Sequence, residues 1–146
     1  MNDWDHADPF RHRVQVEPGN IDILEHANNT AYVDWCQQAA WLHSEALGMP
    51  PSAYRALDRA MAVQRASYEY LVAAVAGDAI DIGTWLVASD ARLSMRRHFQ
   101  MCRAADGATL FRGDWDLVCI RISTGKPARM PPEFLAAYEP AVIGRR

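Results

Sequence analysis

A polar stretch that runs directly into a long helical pattern decides the fold of this chain. Residues 22–32 read DILEHANNTAY, and the helical pattern continues to Leu47. Three residues at its start can cap free N–H groups: Asn28, Asn29 and Thr30. Gly48 suits the position just after a helix, and the prolines at 50–51 forbid its continuation. We therefore expect a helix of about five turns.

The apolar residues of this helix are numerous enough to require burial on more than one side. One stripe contains Tyr32, Trp35, Cys36, Ala39, Leu42, Ala46 and Leu47. Val33, Ala40 and Trp41 extend the apolar character around much of the circumference. Such a helix is expected to be enclosed by other elements.

Runs with strand character flank the helix on both sides. They cover Phe10 to Val16, Val63 to Val75, Ala79 to Ser89, Leu93 to Arg103 and Thr109 to Ile122. Because the interior connections are short, we expect consecutive strands to pair antiparallel as a meander. Residues 131–138 are expected to add a turn of helix. The pattern predicts an α+β fold in which a five-stranded antiparallel sheet wraps around one long central helix.

Composition indicates one ordinary globular domain over residues 1–146, with residues 1–9 as a frayed tail. Half of the 146 residues are hydrophobic, 23% are charged, and the formal net charge is −3, which argues against nucleic acid as a partner. The longest apolar run, Leu71 to Ala76, is too short to span a membrane. The acidic N-terminus is not a secretory signal, so we expect a cytoplasmic protein. Three cysteines without CxxC spacing fit reduced, buried thiols: Cys36, Cys102 and Cys119.

The stretch before the helix carries the residues with chemical potential. Asp22, His26, Asn28 and Asn29 place a carboxylate, an imidazole and two amides beside a helix start. Free N–H groups there can polarise a carbonyl or hold an oxyanion, and a nearby carboxylate can attack it or activate water. The pattern is typical of acyl transfer or hydrolysis. Such residues are also common in ordinary loops, so a plain turn with an N-cap remains an alternative.

This stretch resembles the signature of the hotdog-fold thioesterases, D-x-x-x-H-V-N-N-x-x-Y, with Ala27 for the usual Val. The resemblance covers most of the chain and includes Trp35, the Gly-Asp turn at 77–78, the Asp-Gly turn at 106–107 and residues 124–131. It implies a thioesterase that hydrolyses an acyl-CoA or acyl-ACP thioester without a metal or redox cofactor. It also implies the hotdog fold.

The resemblance implies a role for each residue of the stretch. Asp22 is the expected nucleophile or general base, and a backbone N–H near Asn29 polarises the thioester carbonyl. His26 and Asn28 orient the loop or the water. In plant-type acyl-ACP thioesterases an Asn usually stands two positions after the Asp, whereas this chain has Leu24. That departure places more of the chemistry on Asp22 alone.

Substrate contacts are expected from an aromatic residue and scattered arginines. Tyr32 is a candidate for lining the acyl pocket, although core packing explains an aromatic there equally well. Arg65, Arg96 and Arg97 are the main candidates for binding phosphates, with Lys126 and Arg129 behind them. The uncovered sheet face and edges predict at least a homodimer, or a dimer of dimers.

Other sites and functions have weaker support in the sequence. Three further carboxylates are weaker candidates for catalytic groups: Asp34, Glu45 and Glu69. A pair of His98 with Cys102 is disfavoured because four residues along a strand separate them by roughly 13 Å. No zinc motif occurs, and the acidic cluster at residues 3–8 offers at most loose cation binding. A non-catalytic module that binds acyl thioesters is the alternative function, and hydration or dehydration of an acyl thioester is a third.

Overall fold

The computed structural model describes residues 3–144, which form three helices and one five-stranded sheet. The strands are β1 (Phe10–Gln15), β2 (Arg59–Tyr70), β3 (Ala79–Ser89), β4 (Ser94–Arg103) and β5 (Thr109–Arg121). The helices are α1 (Asn29–Ala46), α2 (Pro51–Leu57) and α3 (Pro132–Tyr138). Short 3-10 turns lie at Pro18–Asn20 and Glu139–Ala141. The strand order in the sheet is β1-β3-β4-β5-β2.

The C-terminal end of α1 closes on a glycine, as the sequence predicts. Gly48 has a φ of +93°, and its N–H donates to the carbonyl of Glu45 at 3.0 Å. The N–H of Met49 donates to the carbonyl of Ser44 at 2.8 Å. This pair of bonds satisfies carbonyls that the end of a helix leaves without partners. The last helical residue, Ala46, lies one position before the predicted end.

The buried stripe of α1 becomes polar toward its C-terminal end. Its buried residues are Ala31, Tyr32, Trp35, Cys36, Ala39, His43 and Ser44. Leu42 and Trp41 are more than a third exposed, and Ala46 is also exposed. The predicted stripe is therefore confirmed for its first half only.

The expected meander is wrong for β2, which lies beside β5 at one edge of the sheet. The strand also starts and ends earlier than predicted, at Arg59 and Tyr70. Leu71 and Val72 both donate their N–H groups to the carbonyl of Leu110, at 2.8 and 3.2 Å. Because two successive donors converge on one acceptor, the chain leaves the regular ladder there and residues 71–78 form a loop. At the other edge β1 pairs antiparallel with β3.

The described residues fall into two compact units. The first takes in residues 3–40, 68–84 and 99–113, and its buried side chains include Tyr32, Trp35, Ile80, Ile82, Phe99, Met101 and Phe111. The second takes in residues 41–67, 85–98 and 114–144, and its buried side chains include Tyr54, Trp85, Leu86, Met95, Trp115, Phe134 and Tyr138. The three cysteines are free and buried, as expected. Organisation of residues 1–146 as one domain stays a prediction.

The second unit contains a buried network of hydroxyl groups. The Tyr138 hydroxyl lies 2.7 Å from Ser44 Oγ and 2.6 Å from the Tyr54 hydroxyl. Ser44 Oγ also donates to the carbonyl of Met49 at 2.7 Å. Burial raises the pKa values of Tyr54 and Tyr138, so both phenols stay neutral and the network is satisfied without charge.

The N-terminal strap, residues 3–5, is held against the first unit by hydrogen bonds. The Asp5 N–H donates to Gln100 Oε1 at 2.7 Å, and Gln100 Nε2 donates to the carbonyl of Asp3 at 3.0 Å. Arg112 binds the Asp5 carboxylate with Nε and Nη2, at 2.8 and 2.9 Å. The expected frayed tail is therefore wrong for the strap, because a two-pronged ion pair fixes it. Met1 and Asn2 lie outside the described residues.

Candidate active site

Asp22 lies in a tight loop that leads into α1. Ile21 and Ala27 form an isolated antiparallel bridge that closes this loop. Inside it, the Asp22 N–H donates to the carbonyl of His26 at 2.9 Å, and the Glu25 N–H donates to the carbonyl of Asp22 at 3.0 Å. Glu25 takes a φ of +62°, the left-handed conformation that the sharp turn requires. The Asp22 loop, residues 21–27, is thus a fixed structure.

The Asp22 carboxylate is oriented by its own loop. Its Oδ1 accepts the N–H of Leu24 at 2.8 Å and, more weakly, the N–H of His26 at 3.4 Å. Its Oδ2 accepts no hydrogen bond from the described residues. The side chain is half-buried. One carboxylate oxygen is therefore held by the turn while the other is available for chemistry.

The start of α1 leaves one backbone donor open. Asn28 caps the helix, because its Oδ1 accepts the N–H of Thr30 at 3.1 Å and the Thr30 hydroxyl at 3.0 Å. Its carbonyl accepts the N–H of Ala31 at 2.9 Å. Within residues 3–144 no acceptor takes the N–H of Asn29, the first helical residue. That donor stands at the positive end of the helix dipole, where a developing negative charge is stabilised.

The side chains of His26 and Asn29 are exposed and make no hydrogen bond to other residues of the described chain. His26 instead supports Asp22 through its backbone, whose carbonyl and N–H both contact that residue. The roles of these side chains in orienting water stay predictions.

Tyr32 is an internal residue rather than a pocket-lining one, which corrects the expectation from sequence. It is only 3% exposed, and its hydroxyl accepts the N–H of Ala74 at 3.0 Å. Its ring stacks on Phe111 at 5.2 Å and contacts Trp35 and Tyr70 edge-on at 5.3 Å. Burial raises the pKa of the phenol, which therefore stays protonated. A group so enclosed cannot bind substrate directly.

The three arginines expected at the phosphates have different surroundings. Arg97 is buried with its Nη1 2.9 Å from His43 Nδ1, so its assignment to phosphate binding is wrong. Burial, together with the charge of Arg97, lowers the pKa of His43 to about 4. Arg96 is 54% exposed but paired with Asp116 at 2.8 Å, which neutralises its charge. Arg65 is exposed on β2 and has no ion pair within the described chain. Of the three, Arg65 is the one available to a phosphate.

Other groups considered from the sequence do not assemble into a second site. Three of them are exposed carboxylates: Asp34, Glu45 and Glu69. His98 Nδ1 pairs with Asp114 at 2.8 Å, while the Cys102 thiol lies 3.9 Å from Thr109 Oγ1. Burial raises the pKa of that thiol, which disfavours the reactive thiolate. Among residues 3–144 no three His, Cys, Asp or Glu side chains cluster closely enough to hold a metal ion, and no helix combines the length and apolar character needed to cross a membrane.

An apolar surface near the loop was missed by sequence reasoning. Ile23 and Leu24, which follow Asp22, are 95% and 70% exposed. An apolar patch that is 42–47% exposed contains Tyr70, Leu71, Val72 and Val75. The N–H of Ala27 donates to the carbonyl of Ala74 at 2.8 Å, which holds the loop and this segment together. The apolar run at 71–76 was the available signal, and it was interpreted as the end of a strand.

Comparison with protein families matches most of the sequence, residues 16–138, to the thioesterase-like superfamily. The chain belongs to the thioesterase-like superfamily. No protein of curated function matches this thioesterase-like chain.

Solved structures similar to this thioesterase-like chain include one enzyme named as a CoA thioesterase and one named as an ACP thioesterase. A 1,4-dihydroxy-2-naphthoyl-CoA thioesterase from Synechocystis is 18% identical, with a TM-score of 0.80 over 90% of this chain and 96% of its own. The 12:0-ACP thioesterase from Umbellularia californica is 20% identical, with a TM-score of 0.82 over 93% of this chain and 51% of its own. A Staphylococcus aureus protein in complex with CoA is 15% identical, with a TM-score of 0.83 over 95% of this chain and 89% of its own. These likenesses confirm the hotdog fold class, α+β with a five-stranded antiparallel sheet.

Proposed function

We propose that this protein is an acyl thioesterase that hydrolyses an acyl-CoA or acyl-ACP thioester to the free acid and the thiol. The observation that carries the proposal is the available Oδ2 of Asp22 on a loop that leads into the open N–H of Asn29. Membership of the thioesterase-like superfamily supports thioester hydrolysis in general. The catalytic assignment of Asp22, His26, Asn28 and Asn29 is our own.

The two groups supply complementary parts of the reaction. The Asn29 N–H donates to the thioester carbonyl oxygen and stabilises the negative charge that builds there. Asp22 either attacks the carbonyl carbon, forming an anhydride that water then opens, or removes a proton from the attacking water. By both routes one water is consumed, the C–S bond breaks and the thiol departs with one proton. A cysteine thiol has a pKa of about 8.5, and a thiol of similar acidity leaves as the thiolate near neutral pH without a general acid, then takes its proton from solvent.

We also propose how the protein assembles and which residue contacts the acyl carrier. The strand β2 is an edge of the sheet, and the apolar patch follows it along the chain, so we propose a homodimer or a dimer of dimers. Arg65 is the proposed contact for a carrier phosphate because it is exposed without an acidic partner in the described chain. A cytoplasmic location stays a prediction.

The test is thiol release from acetyl, medium-chain, long-chain and aromatic acyl-CoAs and from acyl-ACP, followed with a chromogenic thiol reagent. In Asp22→Asn the amide oxygen still accepts the Leu24 N–H, so the loop is preserved while the carboxylate is lost. We expect turnover to fall by about 10³-fold or more, as for other catalytic groups. Glu25→Gln is the matched control, since it removes a carboxylate from the same loop and should keep full activity.

Three outcomes separate the alternatives. Hydrolysis that Asp22→Asn abolishes and Glu25→Gln retains supports the proposal. Equal activity in Asp22→Asn and wild type removes Asp22 from the mechanism. Binding of acyl thioesters without thiol release from any of them identifies the alternative, a non-catalytic binding module.

A further inference from the structure

Ala74 connects the helix to the Asp22 loop through both of its backbone groups. Its N–H donates to the Tyr32 hydroxyl at 3.0 Å, and its carbonyl accepts the N–H of Ala27 at 2.8 Å. Ala74 is completely buried, so neither bond competes with water. The residue therefore transmits the position of the Tyr32 phenol to the end of the Asp22 loop.

These bonds complete a closed ring of contacts. Asn28, the helix cap, directly follows Ala27, and Tyr32 lies one helical turn further on. The ring runs from Asn28 through that turn to Tyr32, across to Ala74, and back through Ala27. Ala27 is the last residue of the Asp22 loop, and Asn29 directly follows Asn28. The ring of contacts therefore connects the loop to the Asn29 N–H, and the phenol sets their relative position.

The far side of the ring is anchored independently. Arg103 contacts the carbonyl of Ala73 at 3.4 Å, Asp78 at 3.4 Å and Asp106 at 2.9 Å. Asp78 Oδ2 also accepts the N–H of Val75 at 3.0 Å. The segment that presents Ala74 is thus held on both sides, and it can act as a fixed reference for the loop.

We propose that Tyr32 is a positioning residue for thioester hydrolysis, acting through its hydroxyl, Ala74 and Ala27 on the alignment of Asp22 with the Asn29 N–H. The inference rests on the proposed function for its kinetic consequence. Its structural part, the restraint of the Asp22 loop by the phenol, stands on the hydrogen bonds alone.

The experiment compares Tyr32→Phe with Tyr54→Phe. The first keeps the ring that stacks on Phe111 and removes only the hydroxyl that holds Ala74. The second removes a buried phenol hydroxyl of the second unit, bonded to Tyr138, and serves as the control for lost stability. Displacing reacting groups by about 1 Å costs about 100-fold in rate. We therefore expect kcat of Tyr32→Phe to fall by about 10- to 100-fold with KM changed less than about twofold, and Tyr54→Phe to retain kcat.

Amide hydrogen exchange supplies a readout that does not depend on activity. In Tyr32→Phe the Ala27 N–H should exchange at least about tenfold faster than in wild type, and in Tyr54→Phe it should not. Unchanged exchange at Ala27 overturns the inference, even if the protein is an active thioesterase. Unchanged kcat in an active Tyr32→Phe variant also overturns it. An inactive wild-type protein whose Ala27 exchange responds to Tyr32→Phe overturns the proposed function and leaves the restraint standing.

Discussion

His43 makes the stability of the fold dependent on pH below neutrality. The residue is 9% exposed, and its Nδ1 lies 2.9 Å from the Arg97 guanidinium. Burial of the ring, and secondly the positive charge of Arg97, lower the pKa of His43 from 6.5 to about 4. In the unfolded chain the ring regains its ordinary pKa. Below pH 6.5 the unfolded state therefore binds a proton that the folded state rejects.

The size of the effect follows from the two pKa values. Each pH unit between 6.5 and 4 removes up to about 1.4 kcal/mol from the free energy of unfolding, so the full loss approaches about 3 kcal/mol. At pH 5 about 2 kcal/mol should already be gone, relative to pH 7.5. The stabilisation is complete above pH 6.5 and decreases as the pH falls toward 4.

Urea unfolding of wild type and His43→Gln at pH 7.5 and pH 5 measures this contribution. Glutamine retains an acceptor for Arg97 but does not titrate, so carboxylates and other groups contribute equally to both proteins. The loss of unfolding free energy between the two pH values should be about 2 kcal/mol larger for wild type. The same pH dependence in both proteins would refute the reasoning, because it would show that His43 titrates normally in the fold.

Two further changes test packing and assembly. In Gly83→Ala the added Cβ would lie 2.7 Å from the Trp4 ring and 3.1 Å from Pro9, so we expect a loss of about 1–3 kcal/mol in urea unfolding. Gly19→Ala, where a Cβ meets nothing within 4 Å, is the control, and equal stability of the two variants would contradict the packing argument. Light scattering of wild type should give a dimer or tetramer mass, and Leu71→Glu in the apolar patch should lower it; a monomer mass for wild type excludes the proposed assembly.

The parts of the fold that follow local rules were predictable from sequence. A helix start at Asn28, Asn29 or Thr30 and a closing glycine at 48 depend on caps within a few residues. The structure starts the helix at Asn29 and confirms the glycine. The strand Ala79–Ser89 has the predicted bounds. The helix α2 was missed because the prolines at 50–51 were interpreted only as a stop, although Pro51 begins it without the loss of a needed N–H.

The errors involve contacts between distant parts of the chain. The run at 71–76 looks like a buried strand, and only its bonds to Leu110 and Tyr32 show that it is a loop. Arg96 and Arg97 were assigned the same role. Adjacent residues of a strand face opposite sides of the sheet, so the two side chains cannot share one binding surface. The sequence predicts that the Asp22 loop and the helix cap lie together. It does not predict the role of Ala74, because that role depends on backbone hydrogen bonds that no pattern of side chains encodes.

The N-terminal strap has a consequence for the order of events during synthesis. Asp5 is translated before both of its partners, since Arg112 follows it by 107 residues and Gln100 by 95. Both lie on strands that emerge late, so the strap must wait as a free segment until β4 and β5 are made. Contacts that form last contribute to the barrier for unfolding more than to the rate of folding. The strap thus docks only after the strands that hold it are in place, although it precedes them in the sequence.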